Sequence, residues 1–239
     1  MLLFHFFILN YLSYGFQNYI IRLIHYWNLE RGIFMDSTAK EFLGEILSEL
    51  KGIDYVKPEE IPNIDLYMDQ VTTFIESQLA PSNHRKDGKI LTKTMINNYA
   101  KNDLLPPPEK KKYNKDHMLT LIFIYYLKNI MSISDIQSIL NPITDKYFGK
   151  KDEHLNLTDI YNEVFSLEYQ ETKDVMKDVA KKFTKSMATF EGAPEEDAEL
   201  LHRFALICML GYDIYIKKSI IEGIVDQINA DATAETTTK

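Results

Sequence analysis

Glycine is scarce in this sequence, at 9 of 239 residues, against roughly 7 % in an average protein. That leaves little material for the Gly-rich phosphate loops of Rossmann and P-loop folds. A single cysteine, Cys208, excludes an intrachain disulfide and any site built from several thiolates. Strand-type alternation of useful length is missing, and no internal repeat is visible. Positive charge is also short, with 27 Lys+Arg against 35 Asp+Glu and a net charge of −8. An acidic total counts against a nucleic-acid partner unless the charge is unevenly spread. What is present, 45% hydrophobic and 26% charged residues, fits an ordinary globular chain of one large domain or two small ones.

Residues 1–34 stand apart. They hold 10 of the 29 aromatic residues and only three formal charges, Arg22, Glu30 and Arg31. A signal peptide needs a basic start and a small-residue cleavage site, and neither is there. Polar residues from His5 to Asn18 interrupt the run, so a membrane span would be strained. The Phe, Leu, Ile, Tyr and Asn content is what AT-rich non-coding DNA translates into. Arg31-Gly32 can be encoded by a ribosome-binding sequence just ahead of Met35. The expectation is therefore that residues 1–34 are a mis-called extension and that Met35 is the true start. A genuine membrane anchor is the alternative.

Helical periodicity dominates the remainder and predicts an all-α protein. Phe42, Leu43, Ile46, Leu47 and Leu50 stripe a helix over 37–51. Leu66, Tyr67, Val71, Phe74, Ile75 and Leu79 stripe another over 63–80, followed by a polar loop, 81–89. Thr92 is a good N-cap for a short helix over 93–102, which Leu104 to Pro108 end. Asn114 can cap the next helix, 115–130, which is apolar nearly all round and so should be buried. Ser134 and Gln137 suggest a capping box for a short helix over 135–140, stopped by Pro142. Helical spacing then runs from Leu157 to Met187. Pro194 fits the first turn of a last helix, with Glu195 and Glu196 well placed at its N-terminus. The expected domains are 35–150, helical and carrying the motif described next, and 151–230, with two long helices; a tail over 231–239 is expected to be disordered.

The charge is unevenly spread. Residues 84–115 hold nine basic groups (Arg85, Lys86, Lys89, Lys93, Lys101, Lys110, Lys111, Lys112, Lys115) and three acids (Asp87, Asp103, Glu109), a local net of +6. The rest of the chain then carries −14. A basic island on an acidic protein is a footprint for a polyanion, because lysines near phosphates release bound counterions. A solvated charged loop is the plainer alternative. Inside the island Met95, Ile96 and Tyr99 share one helix face and can pack down. Thr94, Asn97, Asn98 and Lys101 then face outward, where Asn can bond an adenine edge and Thr a phosphate or a thymine methyl.

This order of elements resembles the DNA-binding half of MerR-type regulators. Asn97-Asn98-Tyr99 falls where that family carries an Arg-Tyr-Tyr run, Leu104-Leu105-Pro106-Pro107 on its turn, Lys112-Tyr113 on its wing, and Ser132 to Ile136 on its last small helix. Residues 35–229 more widely resemble a bacterial family catalogued as domain of unknown function 1836 (DUF1836), itself read as carrying a MerR-like helix-turn-helix. The resemblance implies a winged helix-turn-helix over about 90–141 and double-stranded DNA as partner. Thr94, Asn97, Asn98 and Lys101 would then face the major groove, Lys93, Lys110, Lys111, Lys112 and Tyr113 would hold the backbone, and Tyr99 completes the expected DNA-binding set. Two departures stand out: the Arg and first Tyr are Asn97 and Asn98, and the usual Gly after the recognition helix is Asp103.

Helix-turn-helix proteins commonly bind as dimers. Two long apolar-faced helices in residues 157–228 offer a homodimer surface, with an intrachain helical hairpin as the alternative. The resemblance and the composition together imply a cytoplasmic transcriptional regulator. An all-helical protein-interaction module without DNA affinity is the rival reading. Cys208, within Leu-Ile-Cys-Met-Leu, reads as a core residue, His117 as a helix-surface residue and His84 as a loop residue. No cofactor or metal is implied. No nucleophile with a nearby His-based motif is present, and the acids at 195–197 are explained by a helix start, so catalysis is not expected.

Overall fold

The computed structural model describes residues 37–50, 55–80, 90–150 and 154–237. The expectations for residues 1–34 and for loop 81–89, which holds His84, Arg85, Lys86 and Lys89, lie outside them. Among the described residues there are seven helices and one two-stranded sheet. In chain order these are α1 (Ser37–Leu50), β1 (Leu66–Tyr67), α2 (Met68–Leu79), α3 (Lys93–Lys101), β2 (Lys112–Tyr113), α4 (Lys115–Leu127), α5 (Ile133–Tyr147), α6 (Leu157–Met187) and α7 (Glu195–Thr237). The fold is all-α apart from that short sheet. None of the described helices is long and apolar enough to cross a membrane.

The chain divides into two compact units, residues 53–169 with 214–239, and residues 1–52 with 170–213. The expected boundary, between residues 150 and 151, lies inside the first of these stretches. The start of α6 instead sinks Leu157, Tyr161 and Phe165 into the core of the larger unit. There Tyr161 donates its hydroxyl to the Val56 carbonyl at 2.7 Å, which ties α6 to the segment between α1 and α2 that carries Pro58 and Pro62. In the smaller unit, Leu43 and Leu47 of α1 pack with Met176, Val179, Ala180 and Phe183 of α6 and Leu206 of α7.

The core of the larger unit is built around α4. Met118, Leu119, Leu121, Ile122 and Ile124 are all buried, as expected of a helix without a polar face. Asn114 caps it by accepting from the His117 N–H at 3.1 Å. α2 starts later than its sequence stripe, because Leu66 and Tyr67 are extended and pair antiparallel with Tyr113 and Lys112. The rest of α2 buries Val71, Ile75 and Leu79.

α5 differs from expectation at both ends. Its N-cap is Ser132, whose hydroxyl accepts from the Asp135 N–H at 3.1 Å and donates to the Asp135 carboxylate at 2.7 Å. The cap therefore sits two residues before Ser134. Pro142 lies inside the helix, which runs on to Tyr147. Proline removes one backbone donor, but Ile136, Leu140 and Thr144 are buried on both sides of it and keep the helix docked. α7 extends to Thr237, so most of the tail expected to be disordered continues the last helix. Its first turn carries Glu195, Glu196 and Asp197, and the Pro194 carbonyl accepts from the Ala198 N–H at 3.1 Å. Pro194 is thus the residue before the first turn.

Candidate nucleic-acid interface

Thr92 fixes the start of α3, its side chain accepting from the Met95 N–H at 3.1 Å. Ile96 and Tyr99 are buried on the inner face of this helix, and Met95 is half-buried. Thr94, Asn97, Asn98 and Lys101 are all exposed on the other side. The inner face is held from several directions. α2 packs against both α3 and β2. Lys128, at the end of α4, donates its ammonium to the Ile90 carbonyl at 2.6 Å, just ahead of α3. Burial lowers the Lys128 pKa, and its charge also sits over the Tyr125 ring at 5.4 Å. Gln137 of α5 donates to the Asn102 carbonyl at 2.7 Å, at the exit of α3. Neither Lys128 nor Gln137 stands out in the sequence as a positioning residue, because each acts across more than thirty residues of chain.

The exit from α3 uses a left-handed residue. Asp103 has φ 57°, and the Leu104 N–H turns back to the Tyr99 carbonyl at 2.9 Å. This is the Schellman-type stop that glycine usually supplies. Leu104 and Leu105 then bury completely, which anchors the turn into Pro106–Pro108.

Beyond it comes a hairpin. The Lys112 N–H donates to the Glu109 carbonyl at 2.8 Å, and the two residues between them, Lys110 and Lys111, have φ 48° and 65°. Positive φ at both central positions is the primed two-residue turn that Asn-Gly normally fills. For side-chain-bearing residues such a conformation costs about 1–2 kcal/mol each. The turn presents two exposed lysines side by side at its tip. Lys112 leans over the Tyr67 ring of β1 at 5.3 Å.

Three of the expected contact residues sit differently from the rest. Tyr99 is 7% exposed and Tyr113 is 3% exposed. Both rings belong to the core, and burial raises the pKa of each hydroxyl. Their placement corrects the expectation that they meet a ligand directly: Tyr99 seats α3 and Tyr113 seats the hairpin. Lys93 is exposed but ion-paired with Asp69 in the first turn of α2. Lys101, Lys110 and Lys111 are exposed and form no ion pair among the described residues.

His117 is a second correction, since it is buried rather than on the helix surface. It lies under the hairpin, its ring edge-on to Tyr113 at 5.3 Å and to Phe148 at 4.7 Å. Nδ1 accepts from the Asn114 N–H at 3.1 Å. Nε2 is buried without a well-aligned hydrogen bond. Burial holds its pKa below the usual histidine value, opposed by the backbone carbonyls of Pro107 and Pro106 and by Asp116 and Asp65. Cys208 is a third, exposed on α7 rather than in a core. His202, six residues earlier, lies 3.0 Å from the Thr189 carbonyl. No group of His, Cys, Asp and Glu among the described residues is arranged to hold a metal ion.

Residues 56–164 match the model of a family described as a domain of unknown function, DUF1836. That span contains the whole of α3, the hairpin, α4 and α5. No curated protein and no solved structure matches the chain.

Proposed function

We propose that this protein binds double-stranded DNA through a MerR-like winged helix-turn-helix, as a dimeric transcriptional regulator. In this reading α2 and α3 form the helix-turn-helix, with α3 as recognition helix, and the Lys110–Lys111 hairpin is the wing. The observation that carries it is the pairing of two surfaces on one scaffold. α3 offers Thr94, Asn97, Asn98 and Lys101 outward, and the strand leading from the hairpin pairs with the strand that opens α2. Amides and a hydroxyl suit base edges, while the lysines suit phosphates.

The strained wing supports the same reading. Two lysines in a turn that favours Asn-Gly are a poor choice for stability alone, and strain of this kind gathers at functional sites. The departures at Asn97 and Asn98 shift the balance of contacts rather than removing them. With no arginine on α3, affinity rests more heavily on Lys101 and the wing.

The test is binding of the full chain to mixed-sequence duplex DNA at several salt concentrations. Affinity should fall linearly with the logarithm of salt, by roughly 0.9 per phosphate neutralised. Absence of binding at low salt would leave the fold as a protein-interaction module and overturn the regulator reading.

A further inference from the structure

Leucine or isoleucine recurs at every seventh position of α7: Leu200, Ile207, Ile214, Ile221 and Ile228. Phe204 and Gly211 occupy the intermediate seam positions of the first two heptads. A strict seven-residue period is the pattern of helices that wrap around each other, since it keeps one seam turned toward the partner. In the unit that contains residues 170–213, a neighbouring stripe of α7 is already used. Leu206 is 5% exposed in the small core, with Leu210 packed beside it. The seam itself is open: Leu200 is 69% exposed, Phe204 58% and Ile207 66%. At Gly211 nothing lies within 4 Å of where a Cβ would stand, so its backbone is open to close approach.

We infer that Leu200, Phe204, Ile207 and Gly211 form the surface on which a second copy of this chain packs, helix against helix. This interface serves the dimer of the proposed regulator, and it forms whether or not the protein binds DNA. Two observations favour a second copy over another kind of partner. These four positions carry no charged group, and their neighbour Arg203 is engaged by Glu199 and lies over the Phe42 ring at 4.4 Å, so nothing here selects a charged peptide. The three large side chains also leave roughly 400 Å² exposed, about half of the ~800 Å² per partner in a standard interface. The flanking Leu201 and Cys208 and the open Gly211 backbone extend that area. A two-fold pair brings the same seam from both sides, which is the self-complementarity a symmetric dimer requires.

The experiment is sedimentation equilibrium of the full chain without DNA, so that its outcome is separate from DNA binding. The wild type should be dimeric at micromolar concentration. Phe204→Glu and Ile207→Glu each set an unpaired carboxylate in the seam and should weaken association by roughly 100-fold or more. Phe204→Ala is the milder companion; it should weaken association while leaving the far-ultraviolet helical signal unchanged. A wild-type chain that stays monomeric at about 100 µM overturns the inference. So does a dimer that keeps its affinity in Phe204→Ala and in the folded charged variants.

Discussion

α4 and α7 share an unusual property and meet opposite fates. Both are rich in apolar residues with no clear polar face, a pattern that ordinarily marks a buried helix. α4 fulfils it: Leu119, Leu121, Ile122 and Ile124 are fully buried by elements of their own chain. α7 does not, and leaves Leu200, Phe204 and Ile207 in solvent. The difference is one of supply. Around α4 the chain provides α2, α3, α5, the hairpin and the start of α6. Around the first half of α7, the small core meets one side and leaves the other. Apolar patterning thus states a demand for burial, and only the three-dimensional arrangement shows whether the chain meets it.

The largest effect that would sharpen this contrast is on folding stability. Leu119→Ala should cost about 2–5 kcal/mol, read by chemical denaturation, because it empties space in a closed core. Ile207→Ala should cost far less at high dilution, with a loss that grows with protein concentration as dimerisation begins to contribute. Equal, concentration-independent losses at the two positions would erase the distinction.

Next in size is the wing. Replacing Lys110-Lys111 with Asn-Gly relieves two left-handed lysines and should raise stability by about 1–2 kcal/mol. The same change should weaken binding to duplex DNA. A variant that is both more stable and equally tight on DNA would show that the turn's lysines do not contact DNA. Asp103→Gly should also stabilise, by about 0.4–1 kcal/mol, since its φ of 57° suits glycine.

The smallest effect is on pH dependence. Because burial lowers the His117 pKa in the folded chain, the unfolded chain takes up the proton first as pH falls. The associated stability is complete above the ordinary histidine value, near 6.5, and drains away as pH drops from there through the lowered folded value. His117→Gln should remove that part of the acid slope, as measured by denaturation midpoints at several pH values. An unchanged slope would mean that other groups carry it.

Much of this was legible in the sequence wherever the deciding interaction is local. Thr92 and Asn114 announce their caps because a short side-chain oxygen reaches an N–H only three residues away. The outward face of α3 follows from the buried spacing of Ile96 and Tyr99. An exit at Asn102 or Asp103 follows from the need for a left-handed residue, and the structure gives that conformation to Asp103. What was hidden is non-local. Pro142 reads as a stop until the burial of Leu140 and Thr144 is known. Ser134 reads as the cap, but Ser132 holds that place. His117 looks like a surface residue until Tyr113 and Phe148 are seen to close over it. Cys208 looks like a core residue because its neighbours are apolar, yet the seam around it is exposed. The anchoring lysine, Lys128, reaches 38 residues back along the chain, which no periodicity reports.

The central claim is that the lysine-tipped hairpin and the outer face of α3 meet phosphates and bases of duplex DNA. The most direct measurement compares salt slopes. Wild type, a Lys110→Ala/Lys111→Ala/Lys112→Ala variant and a Lys181→Ala/Lys185→Ala control on α6 are titrated with the same mixed-sequence duplex. The wing variant should bind more weakly and show a slope flatter by roughly one unit per lost phosphate contact, while the control matches wild type. Identical slopes for wing variant and wild type, or equal losses in the control, would contradict the account.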